Sequence, residues 1–125
     1  MDKVLERYHD KRKVVVTNKR GIFTRRIMEN LGVANRFERL ISADETGGHL
    51  KPAPDMIWRV LAELNIPAKE TVVIGDMTND IHAARAAGVA ICAVGYGFGS
   101  PQGLKEAKPD FYVDTVSDLM TLPFT

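Results

Sequence analysis

Cysteine is nearly missing from this chain, and several other features that would place a protein in a class at once are missing with it. The single thiol, Cys92, excludes an internal disulfide framework and suits a reducing compartment. It stands within the apolar run Ala90–Val94, where a buried inert thiol is expected rather than a nucleophile. No run of about 18 apolar residues occurs and no signal-peptide pattern is present, so membrane insertion has no support and a cytoplasmic protein is expected. Basic excess is lacking too. Lys and Arg number 17 against 16 Asp and Glu, which argues against nucleic acid as a partner. Lys11-Arg12-Lys13 is too short a run to change that and reads as a solvated helix end. There is no internal repeat, low-complexity tract or linker. The 125 residues therefore read as one domain, 1–125, long enough to bury about two-thirds of its unfolded surface. Hydrophobic residues at 45% and charged residues at 26% fit an ordinary globular chain.

What is present alternates between two periodicities. Val4, Leu5 and Tyr8 share one face of an opening amphipathic stretch. Val14-Val15-Val16-Thr17 is short, continuous and β-branched, as in a strand buried on both faces. Phe23, Ile27 and Leu31 recur at helical spacing, and Gly32 is placed to close that helix. A short apolar segment follows at Leu40-Ile41. Pro52 and Pro54 precede a helix whose buried stripe is Ile57, Leu61 and Leu64. Residues 71–74 are another apolar strand, 79–87 a helix ended by Gly88, and Ala90–Val94 a further strand. The tail carries a brief strand at Phe111–Val113 and a helix opening near Asp114-Thr115. Such alternation implies parallel strands joined by right-handed helical crossovers, hence an α/β three-layer sandwich.

In open α/β sheets, ligands bind beyond the carboxyl ends of the strands. After the first strand stand Thr17, Asn18 and Lys19, a hydroxyl followed by free amides before a helix. That pattern either cradles phosphate or merely caps the helix. After residues 71–74 comes Gly75-Asp76-Met77-Thr78-Asn79-Asp80. Asp76 projects from the strand end and Asp80 lies four residues on, so both carboxylates can face one point. Two such carboxylates suit Mg²⁺, which keeps several waters and also binds substrate phosphate. An Asp in the first helical turn is also explained by the helix dipole alone. Lys51, set by Pro52-Ala53-Pro54 at the start of a helix, can neutralise phosphate charge or simply be solvated. Gly95-x-Gly97-x-Gly99 lacks the acidic ribose ligand of a dinucleotide site and reads as a loop at the site rim. His9, His49 and His82 share no ligand spacing. Trp58, beside Ile57, reads as a packing residue.

Taken together, Val14-Val15-Val16-Thr17-Asn18-Lys19, Lys51-Pro52-Ala53-Pro54-Asp55 and Val73-Ile74-Gly75-Asp76-Met77-Thr78-Asn79-Asp80 resemble motifs two, three and four of the haloacid dehalogenase-like superfamily. The chain looks most like its phosphoglycolate phosphatase and pyrophosphatase branch. Ala83-Ala84-Arg85-Ala86-Ala87-Gly88, Gly95-Tyr96-Gly97 and Lys108-Pro109-Asp110 extend the likeness over essentially all of the sequence. The resemblance implies a Rossmann-like core and a small phosphorylated metabolite as substrate. It implies that Thr17 and the Asn18 amide hold the phosphoryl group and that Lys51 balances its charge. Asp76 would ligate Mg²⁺, with Asp80 supporting that site. It also implies a phosphoaspartate, formed and then hydrolysed.

The family's first motif, an apolar strand ending in Asp-x-Asp, has no counterpart here. Residues 1–13 read as a helix, and Asp2 and Asp10 follow no apolar strand. The catalytic pair and the substrate-selecting cap are thus expected to be missing, and the isolated chain is expected to be inactive. A noncatalytic phosphate- or metal-binding remnant is the rival reading. A phospho-receiver is set aside, because its acidic pair should follow the first strand and Thr17-Asn18 stands there instead. The missing motif-one strand should lie between the strand at Val14 and the strand at Val72. The expectation is that those two strands close up and pair directly, or that a strand from a second chain, a homodimer included, fills the slot.

Overall fold

The structure, a computed structural model, describes residues 2–47 and 49–122. The order is α1 (Asp2–Arg7), β1 (Val14–Val16), α2 (Gly21–Asn30), β2 (Arg39–Ile41), α3 (Asp55–Leu64) and β3 (Val72–Gly75). Then follow α4 (Thr78–Ala87), β4 (Ala90–Val94), α5 (Pro101–Glu106), β5 (Phe111–Val113) and a closing 3-10 segment, Val116–Thr121. All strand pairs are parallel, as the alternation of elements requires. Strand β4 shows why the layers form. Ile91 and Ala93 join Ile57, Ile81, Ala84 and Leu104 from α3, α4 and α5, whereas Cys92 and Val94 join Val4, Tyr8, Val113 and Leu119 on the other face. A strand apolar at every position thus needs a helical layer on each side. Each fully buried aliphatic side chain contributes about 1.5–3 kcal/mol. Among the described residues no helix is long and apolar enough to cross a membrane.

The sheet is divided. Strands β1 and β2 pair with each other, and β3, β4 and β5 form a second sheet. Direct pairing of β1 with β3 was one of the two outcomes expected, and it does not occur. The backbone shows which edge of β1 stays open. Thr17 N donates to Ile41 O and Glu38 N to Lys13 O, so Lys13, Val15 and Thr17 face β2. Alternation then turns Val14 and Val16 to the opposite edge. On β3 the side chain of Ile74 is 46% exposed, unusual for an aliphatic residue in a parallel strand. Helix α3 spans the division, touching β1, β2 and α4.

Three local expectations are corrected. Helix α1 stops at Arg7, before the Lys11-Arg12-Lys13 run, and Lys13 Nζ instead donates to the carbonyls of Tyr8 and Lys11, both at 2.7 Å. Of the apolar residues at helical spacing on α2, Ile27 and Leu31 are exposed, and the side chain of Phe23 lies outside the described set. Trp58 is likewise 52% exposed rather than packed. Helix α5 and the 3-10 form of the last segment were not visible in the pattern. The first has Pro101 at its start and a Ser100 hydroxyl accepting from Gly103 N; the second is capped by Thr115, which accepts from Asp118 N.

Cys92 tests the packing of β4. Burial pushes its thiol up to about 11. At pH 8 the native chain should hold roughly a hundredfold less thiolate than an ordinary cysteine. Modification by a disulfide reagent should therefore await unfolding. Rapid labelling of the native chain would contradict the buried position.

Candidate active site

The carboxyl ends of β1 and β3 point to one region, and Lys51 joins them. Its Nζ lies 2.6 Å from Asp80 Oδ1 and 3.2 Å from the Val16 carbonyl, the last slot-facing acceptor of β1. The side chains of Lys51 and Asp80 are only 15% and 9% exposed. The Lys51 backbone is fixed as firmly. Asn18 Nδ2 donates to Lys51 O at 3.0 Å, and Lys51 N donates to Asn18 Oδ1 at 2.9 Å. The sequence had offered the Asn18 amide to phosphate; its side chain has this second task of bracing Lys51. Thr17 Oγ1 accepts from Lys19 N at 3.1 Å, which turns the chain toward α2.

Asp76 stands at the end of β3 and Asp80 in the first turn of α4. Asp80 Oδ2 accepts from Met77 N at 3.1 Å, and Gly75 permits this close turn because a Cβ there would overlap the Asp80 carboxylate. Asp76 Oδ2 accepts from Phe98 N at 3.0 Å; among the described residues Oδ1 receives no hydrogen bond. The two carboxylates thus have separate partners. Among the described residues, no cluster of three His, Cys, Asp or Glu side chains assembles. One free carboxylate oxygen, backed by a second carboxylate already neutralised by lysine, fits a hard cation that keeps most of its waters. It does not fit a thiolate- or imidazole-bound metal. None of the five described strands is followed by Asp-x-Asp. The surface hollow lined by Lys69, Arg85, Val89 and Asp110 lies at the amino end of β4, away from all these groups.

Comparisons with known proteins place the chain in a family. The sequence profile of the haloacid dehalogenase-like hydrolase family matches residues 1–94. The chain belongs to that family. The phosphoglycolate phosphatase of Colwellia psychrerythraea is 36% identical over 109 residues, covering 87% of this chain and 48% of that protein. That of Pectobacterium atrosepticum is 33% identical over 108 residues, covering 86% and 46%. The chain therefore spans about half the length of the curated relatives it matches. Among crystal structures, a predicted phosphatase from Clostridium acetobutylicum superposes with a TM-score of 0.87 at 27% identity, covering 96% of this chain and 56% of that one. A predicted phosphoglycolate phosphatase from Haemophilus somnus gives 0.87 at 25%, with 96% and 54% covered.

The Lys51–Asp80 pair generates a stability prediction. Lys51→Met leaves a buried carboxylate without its cation and should cost about 3 kcal/mol in urea unfolding. Adding Asp80→Asn should recover part of that loss. Simple additivity of the two single variants would show that the pair is not coupled.

Proposed function

We propose that this chain is the phosphate- and metal-binding part of a phosphatase that hydrolyses small phosphomonoesters of the phosphoglycolate type. The carrying observation is Lys51, braced by Asn18 and aimed by Val16 and Asp80 at the carboxyl ends of both sheets. Thr17 and the Asn18 amide would hold the phosphoryl oxygens, and Lys51 would offset their charge as it develops. Mg²⁺, when bound, would add charge neutralisation at the transferring group. Asp76 would hold it and Asp80 would support that site while orienting Lys51. An aspartate carboxylate outside these 125 residues would take the phosphoryl group from the ester oxygen, and water would then release inorganic phosphate. The lack of Asp-x-Asp after any described strand favours one second reading, a noncatalytic phosphate- or metal-binding remnant of the fold.

The missing carboxylate and the divided sheet point to one partner. An extended apolar segment ending in Asp-x-Asp would lie between β1 and β3, pairing with Val14 and Val16 on one side and β3 on the other. Its acidic end would arrive beside Lys51.

Three measurements separate these readings. A Mg²⁺ titration should move the amide resonances of Asp76 to Asp80, and movement elsewhere alone would sink the metal assignment. The chain alone should not turn over p-nitrophenyl phosphate; turnover lost in Asp76→Asn would place a nucleophile within it. A peptide with the strand ending in Asp-x-Asp should shift the amides of β1 and β3 together and restore turnover. Shifts without turnover would favour the noncatalytic reading, and shifts at neither strand would remove the strand partner.

A further inference from the structure

The loop 95–100, with its Gly95-x-Gly97-x-Gly99 spacing, has no part in the function described so far. It begins where β4 ends, with Gly95 N donating to Val113 O at 2.8 Å, and it ends at Ser100, which caps α5. Between these anchors it crosses the end of the neighbouring strand β3 and grips one residue twice. Phe98 N donates to Asp76 Oδ2 and Gly99 N to Asp76 O, each at 3.0 Å.

The glycines are what allow this approach. A Cβ at Gly97 would overlap the Asp76 carboxylate, and one at Gly99 would overlap the Asp76 carbonyl oxygen. The Gly99 site also lies against Leu104, a fully buried side chain of α5, so the loop cannot retreat freely on that side. The side chain of Phe98, whose amide makes one of these contacts, is 94% exposed and takes no part in them. Both hydrogen bonds to Asp76 come from the loop's backbone.

We propose that this loop is a positioning element for Asp76. It holds Oδ2 on the Phe98 amide and the main chain on the Gly99 amide, so that Oδ1 alone is presented to a cation. The idea rests on the reading of Asp76 as a metal-holding residue given above. An aspartate at a strand end has two free torsions, and an unheld carboxylate would have to be ordered at each binding event. Held by one amide, it meets the ligand already oriented. Gly97 and Gly99 are thus positioning residues: they touch no ligand and act on it through Asp76.

The test uses the whole 125-residue chain. Hydrogen exchange at the Phe98 amide should be slow, and Asp76→Ala should speed it about tenfold, the worth of one hydrogen bond, while the β4 amides keep their rates. Equal Phe98 rates in the two chains would overturn the proposal. Gly97→Ala, whose added methyl must displace the Asp76 side chain, should weaken Mg²⁺ binding at least about tenfold, followed by the amide shifts of Asp76 and Asp80, in a chain that still melts cooperatively. Unchanged affinity in a folded Gly97→Ala chain would also overturn it. If Gly97→Ala does not fold, the exchange comparison decides alone. If the unaltered chain binds no Mg²⁺ at Asp76, the metal reading fails, and the exchange rates still decide whether the loop holds that carboxylate.

Discussion

A half-buried ammonium group between two sheets is the constraint on which this structure turns. Lys51 meets the end of β1 through a carbonyl and the first turn of α4 through a carboxylate. Among the described residues no hydrogen-bonded ladder joins the two sheets, and this charge and the flank of α3 both bridge the halves. Buried ion pairs contribute little net stability compared with apolar packing, but removing one partner is costly. The pair is therefore better understood as fixing geometry than as supplying cohesion. It sets the distance between the Thr17 turn and the Asp80 helix, and Asn18 sets the direction from which Lys51 enters.

Three of the candidate residues, and the loop that grips one of them, sit where a parallel strand gives way to a helix or loop. Thr17 and Asn18 follow β1, Asp76 follows β3, and the loop 95–100 follows β4. That clustering needs no coincidence. Right-handed crossovers carry every strand in the same direction, so all carboxyl ends emerge on one side and their loops must neighbour one another. The amide donors on Asp76 come from a segment 22 residues away in sequence, yet adjacent because β4 lies beside β3.

Much of this was legible in the sequence. The apolar run at Ala90 could be read because a strand covered on both faces is apolar throughout, whereas the runs at Val14 and Val72 gave strands that are only half-buried. Gly32 and Gly88 marked helix ends and do take left-handed conformations, at φ 72° and 76°. Asp76 could be singled out as a polar residue at a strand end, Asp80 by its spacing from it, and Lys51 by the prolines that lead into α3. Their pairing could not, since the contact of Lys51 with Asp80 depends on how α3 crosses both sheets. The α2 stripe misled because periodicity reports what a helix can bury, not whether a partner surface is present. Ile27 and Leu31 have the spacing without the cover. The glycine triplet was legible as a loop, and its spacing carried the signal of close backbone approach. What it approached required coordinates.

Burial is shared unequally between the two sheets. Both large apolar clusters belong to α1, α3, α4, α5, the β3–β4–β5 sheet and the closing 3-10 segment, whereas among the described side chains of the segment from β1 to β2 only Ile41 and the polar Thr24 are buried. Local opening free energies follow such differences, so the β1–α2–β2 segment should be the first cooperative unit to detach on warming. Thr17 and Asn18 lie in that looser unit, and Asp76 and Asp80 in the firmer one. A ligand held by all four would stabilise the looser unit by mass action, so its melting would track ligand concentration while the rest of the molecule kept its own transition.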